Sequence, residues 1–193
     1  MRNALALFVI FNILLSTGCT LKPPRTDKRN KQFPTTSFVK ILKTIAITEC
    51  VPDTKCAIGE WTSAGSGISI GMISGGSLIM SAAHVCEISL NPGAKKIIKT
   101  HHTSISIINY RNNTSEARII KVSNKAGDPR DLCMLYAKNL ITSEVPFASH
   151  PPKVGEDVFS MSAPVGLYHP PTVPLLRGIF SGPLEDGNVL VTI

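Results

Sequence analysis

Aromatic residues are scarce in this sequence, at 6% with a single Trp, and charged residues make up only 17%. The first shortage excludes a stacking platform for nucleic-acid bases, which needs aromatic rings in series. The second, beside 43% hydrophobic residues, excludes a chain disordered throughout and leaves enough apolar mass for a core. No apolar run is long enough to cross a bilayer of about 30 Å. The longest, Ala4 to Leu15, is broken by Asn12. No sustained 3.6-residue pattern occurs outside that run, which argues against a helical fold. No paired C-x-x-C occurs among the five cysteines, which argues against a zinc site.

What is present starts with a net charge of +7 over 193 residues, and its position matters more than its size. Residues 20–43 hold seven Lys and Arg against one Asp, and Arg2 adds one more. The remaining twelve Lys and Arg face twelve Asp and Glu, so the body from residue 44 onward is neutral. A basic arm on a neutral domain is no case for a nucleic-acid partner. Arg2 followed by Ala4–Leu15 has the length and flanks of a signal-peptide core. It ends in Leu15-Ser16-Thr17-Gly18-Cys19, which resembles the bacterial lipoprotein processing site, with Leu one place further from the Cys than usual. Residues 1–19 are therefore expected to be a lipoprotein-type signal peptide with Cys19 as the lipidated residue. The alternative is ordinary secretion with cleavage nearby. Residues 20–37 are expected to form a basic flexible tether beside an anionic lipid surface, placing the protein in a bacterial cell envelope, facing the periplasm.

Cys50, Cys56, Cys86 and Cys133 then remain, an even number in an exported chain, with three possible pairings into two disulfides. Cys50 and Cys56 flank a five-residue loop and can bridge locally.

The body reads as strands. Phe38–Ile47, Gly67–Ile73, Ser77–Ser81, Ser104–Tyr110, Ala117–Ser123 and Leu132–Ala137 are short and rich in β-branched residues, and Ser104–Tyr110 alternates Ser and Ile. Asn91-Pro92-Gly93, Asn112-Asn113 and Gly127-Asp128-Pro129 read as turns between them. Asp157–Ala163, Val173–Phe180 and Asn188–Ile193 make three more strands, the last ending in mid-pattern, as expected of a truncated sequence or an interrupted gene. The fold class is all-β, with a closed or nearly closed sheet. His101-His102 is expected in a solvated loop, His150 and His169 in turns beside prolines, and Trp61 as a packing anchor.

Two elements carry chemistry. His84 follows Ser81-Ala82-Ala83 at the end of the apolar strand Leu78-Ile79-Met80, where a strand gives way to a short helix. A ring there is held on one side and open on the other, as a general base requires. Asp131 opens the strand Leu132-Cys133-Met134-Leu135, where it can accept a hydrogen bond from a His ring. The bland readings are a surface histidine and a turn-closing aspartate.

Taken in order with Ala64-Gly65-Ser66-Gly67-Ile68, Gly75-Gly76-Ser77-Leu78-Ile79, Val154-Gly155-Glu156-Asp157-Val158, Ala163-Pro164-Val165-Gly166 and Arg177-Gly178-Ile179-Phe180-Ser181-Gly182, these elements resemble the trypsin-like, chymotrypsin-fold serine proteases, nearest to the bacterial HtrA-type members. The resemblance covers about residues 38–193. It implies a chymotrypsin-like double β-barrel, with the first barrel over 38–140 and an incomplete second barrel over 141–193. It implies His84 as general base, Asp131 as its orienting partner, a polypeptide substrate, and no metal or cofactor. With the two catalytic side chains together, Cys86 and Cys133 would be neighbours beneath them and are expected to bridge; two buried free thiols are the alternative.

The family's nucleophile turn, Gly-x-Ser-Gly-Gly, is absent from these 193 residues. Ser74-Gly75-Gly76 has Met72 at the first glycine position and precedes His84, while Ser181-Gly182-Pro183 has Ile179 there. The expectation is an exported serine endopeptidase whose sequence, as it stands, lacks the attacking serine. The alternatives are a non-catalytic pseudo-protease that binds peptide, and a structural lipoprotein with an accidental likeness.

Overall fold

The computed structural model describes residues 33–87, 90–123, 130–163, 168–184 and 189–192. The chain divides into Met1–Phe33 and a compact unit, Pro34–Ile193. The expected signal peptide, Cys19 and most of the tether lie outside the described residues, as do Gly127-Asp128-Pro129 and Pro164-Val165-Gly166.

Each of the nine expected strand segments contains a strand. A 3-10 turn, Thr35–Ser37, leads into β1 (Phe38–Cys50), which pairs antiparallel with β2 (Gly59–Ile73). Ser74 and Gly75 both take positive φ, 47° and 74°, and turn the chain back into β3 (Gly76–Ser81). Two consecutive left-handed residues match the right-handed twist of a tight hairpin. α1 (Ala83–Cys86) and α2 (Pro92–Ile97) follow, then β4 (Ile98–Asn109), β5 (Thr114–Ser123) and β6 (Leu132–Lys138). β6 lies between β3 and β5, β5 lies beside β4, and β4 returns to pair with β1. The result is a closed antiparallel barrel in the order β1-β2-β3-β6-β5-β4, with no open edge.

Strand alternation fills it. Ile105 and Ile107 are buried while the alternating Ser104 and Ser106 are half-buried, and the same parity puts Cys133, Leu135 and Ala137 inside. With Val39, Ile41, Ile79, Cys86 and Leu140 they form one core. Each fully buried Ile or Leu side chain contributes about 1.5–3 kcal/mol. Gly67 is required there: a Cβ at that point would stand 2.8 Å from Ile79 Cγ2 and 2.9 Å from Ile41 Cδ1.

β7 (Asp157–Met161), β8 (Leu175–Pro183) and β9 (Val189–Thr192) form a separate three-stranded antiparallel sheet. Phe38, Ala163 and Tyr168 form a second buried cluster that docks this region on the barrel. The Phe38 and Tyr168 rings lie 5.2 Å apart, and Tyr168 Oη donates to the Asn109 carbonyl at 3.4 Å. Ala163 N–H donates to Ser66 Oγ at 2.7 Å. The protein is thus all-β, a closed six-stranded barrel with a second, partial sheet.

Three expectations are corrected. His101 and His102 lie in β4, opposite Ile47 and Ala46, and not in a loop; they are exposed as expected. Asn91-Pro92-Gly93 is the start of α2, where the Asn91 side chain accepts the Ala94 N–H at 2.7 Å and Pro92 occupies the first turn, an arrangement helix N-termini favour. Trp61 is no core anchor: it is 47% exposed, its ring lying over Gly59 on the barrel surface.

Candidate active site

β3 ends at Ser81, Ala82 is extended, and the chain then makes the single turn α1. Residues three apart share a helix face, so Ala83 and Cys86 both point into the core, 1% and 0% exposed, and His84 points out. Across the barrel mouth, Asp131 precedes β6 by one residue. It has the parity of Cys133, two residues on, and therefore projects from the same face of the strand.

The two meet twice. Asp131 Oδ1 accepts the His84 backbone N–H at 3.0 Å, and Oδ2 lies 2.6 Å from His84 Nδ1. The first contact satisfies one of the unpaired amides that begin any helix. That amide first, and the ring second, hold the Asp131 carboxyl below the usual aspartate range. An ionised carboxylate has no proton to give, so Nδ1 carries the hydrogen and donates it to Oδ2. In a neutral ring, Nε2 is then left as a free acceptor. A base poised to take a proton, with its tautomer set by a carboxylate behind it, is the chemistry this arrangement permits.

His84 faces a cleft of about 580 Å³ lined by Lys43, Gly65, Ser66, Val85 and Ala163 among others. Lys43 reaches over the barrel end, and its Nζ donates to the Glu87 carbonyl at 2.9 Å. The wall of small residues keeps the ring accessible; the His84 and Asp131 side chains are 72% and 54% exposed.

Cys50 pairs with Cys56 and Cys86 with Cys133, at Cα separations of 5.8 Å and 6.4 Å. One of the three possible pairings is thereby selected. Among the described residues, no group of three or more His, Cys, Asp or Glu side chains comes together as a metal site. Ser181 lies in β8, its Oγ donating to the Ile179 carbonyl at 3.4 Å and sharing a hydrogen bond with Thr192 Oγ1 on β9 at 2.9 Å. Ser74 lies in the β2–β3 turn, with its carbonyl accepting from Tyr136 Oη.

The cleft residues Lys43 and Val85 were not expected in the site, and neither was the His84 amide. Backbone donors carry no residue signature, and Lys43 reads as one more charge of the basic stretch 20–43. Ser66 did stand in a notable Gly-Ser-Gly, though its role of receiving the Ala163 N–H depends on the second region. No protein-family model and no curated protein matches this chain.

Proposed function

We propose that the protein belongs to acyl-transfer peptide hydrolysis of the trypsin-like, chymotrypsin-fold kind, with His84 as general base and Asp131 as the residue that orients it. The single observation that carries this reading is the Asp131 carboxylate, which holds both the amide and the ring Nδ1 of His84 at the mouth of a closed barrel. In that reading His84 Nε2 takes the proton of an attacking serine hydroxyl and then gives it to the leaving amine. The Asp131 carboxylate stabilises the imidazolium formed between those steps. The barrel and the second sheet stand as the two halves of a chymotrypsin-like architecture, the second incomplete, and an extended polypeptide is the ligand of the cleft.

No Gly-x-Ser-Gly-Gly turn lies among these residues, and Ser181 is engaged with β9. The second reading is a non-catalytic, peptide-binding pseudo-protease of the same fold; a Gly-x-Ser-Gly-Gly turn in the coding sequence beyond residue 193 would favour the enzyme, and its absence from an intact gene the binder. Export is part of the same proposal: two disulfides suit an oxidising compartment. A lipid anchor at Cys19 would hold the protein at the envelope.

Ring ¹⁵N NMR of purified 1–193 tests the base assignment. The Nδ1–H tautomer of His84 is expected at neutral pH, with a mixture in Asp131→Asn, and a wild-type ring protonated at Nε2 would refute it. The same protein is expected to cleave no casein and to take no fluorophosphonate label; a His84-dependent label on Ser181 overturns the exclusion of that serine.

A further inference from the structure

The His84–Asp131 pair stands in the open, and exposed ion pairs do little to hold their own side chains in place. Nor can α1 hold itself: it is one turn of four residues, while isolated helices need about 12–15 to persist. Beyond the buried Ala83 and the His84 amide bond to Asp131, a covalent tie also bears on where the ring sits. Directly below, Cys86 and Cys133 are bridged, with 0% and 1% of their surface exposed. Cys133 is locked in the barrel from both sides, paired with Ser81 on β3 and Val122 on β5. The bridge therefore runs from a rigid point of the wall to the one short element that carries the base. Each member of the pair lies two residues before a bridging cysteine.

We infer that Cys86 and Cys133 are positioning residues for the His84–Asp131 pair, and that the redox state of their bridge switches the pair between coupled and uncoupled. This rests on the reading of His84 as a base oriented by Asp131. The step balances with a dithiol as reductant. The dithiol gives two electrons and two protons, the Cys86–Cys133 S–S bond breaks to two thiols, and the dithiol closes to its own disulfide. The barrel is expected to survive, because its six strands are joined by continuous backbone ladders around Val39, Ile41, Ile79, Ile107 and Leu135. What loses its anchor is α1, and with it the contact between ring and carboxylate.

The test uses the full chain carrying Cys50→Ala and Cys56→Ala, so that one bridge remains. Three readouts are taken before and after reduction with dithiothreitol: the Asp131 carboxyl titration by ¹³C NMR, the His84 ring tautomer by ¹⁵N NMR, and the native amide chemical shifts of Ile107 and Leu135. In the bridged protein Asp131 is expected to titrate below its ordinary value of 3.8. After reduction its midpoint is expected to return towards that value and the His84 ring to become a mixture of tautomers, with the native Ile107 and Leu135 amide shifts retained and reoxidation restoring both signals. Cys86→Val with Cys133→Ala, which refills the space without the bond, is expected to behave like the reduced protein. An unchanged Asp131 midpoint after reduction, or native coupling in the Val/Ala variant, would show that packing alone places α1 and overturns the inference. Loss of the native Ile107 and Leu135 amide shifts on reduction overturns it too, since the bridge is then a staple of the fold and not a switch of the site. If Asp131 titrates normally even in the bridged protein, the base reading itself fails.

Discussion

Cutting the Cys86–Cys133 bridge should cost more global stability than cutting Cys50–Cys56, by an amount set by chain length. The two bridges join residues 47 and 6 positions apart. Loop-closure entropy removed from the unfolded chain then amounts to about 4 kcal/mol for the long loop and about 2 kcal/mol for the short one. The constant in that relation cancels in the comparison, leaving about 1.8 kcal/mol from the logarithm of the length ratio alone. Substituting the cysteines would confuse this with lost packing, because Cys86 and Cys133 are fully buried. The assay therefore compares oxidised and reduced forms of two proteins, Cys50→Ala/Cys56→Ala and Cys86→Ala/Cys133→Ala, each retaining one bridge. Urea unfolding followed by circular dichroism gives the stability of all four forms. The drop on reduction should be larger, by about 1.8 kcal/mol, in the protein that keeps Cys86–Cys133. Equal drops, or a larger one for the short loop, would refute the entropic reasoning.

Gly67→Ala should destabilise by about 1–3 kcal/mol, since its Cβ meets two fully buried isoleucines and the core cannot yield without strain; an unchanged urea midpoint would contradict so close an approach. Phe38→Ala should cost about 3–5 kcal/mol and loosen the second sheet before the barrel, seen as amide protection in β7 and β8 falling ahead of that in β3 and β6. The depressed Asp131 carboxyl sets the sign of an acid dependence. Its stabilising contribution is complete above the ordinary value of 3.8 and is lost as pH falls through the lower folded value. The wild type should therefore lose stability more steeply than Asp131→Asn below about pH 4; parallel acid profiles would count against the paired carboxylate.

The nine strands were legible because they are apolar, β-branched and bounded by turn residues. Two stretches were not. Gly59–Ser66 of β2 and Ile98–Thr103 of β4 are polar or mixed, and become strand by pairing with β1, Gly59 opposite Ile47 on one side and His101 opposite the same Ile47 on the other. Cross-strand pairing overrides weak local preference there. Trp61 was misread for a related reason. Large aromatic residues are usually well buried, but its place in β2 leaves it half exposed on the barrel surface, with its ring over Gly59.

By itself the sequence determined the separation of a basic arm from a neutral body, the all-β class, the strand periodicity, and the two residues worth pairing, His84 and Asp131. Those follow from local order: which residues adjoin which, and with what spacing. Tertiary structure alone decided that the sheet closes through β1 and β4, and that one carboxylate grips both the amide and the ring of a histidine 47 residues away. Contacts at that separation arise when a barrel closes and brings strand ends together, a geometry no run of neighbouring residues encodes.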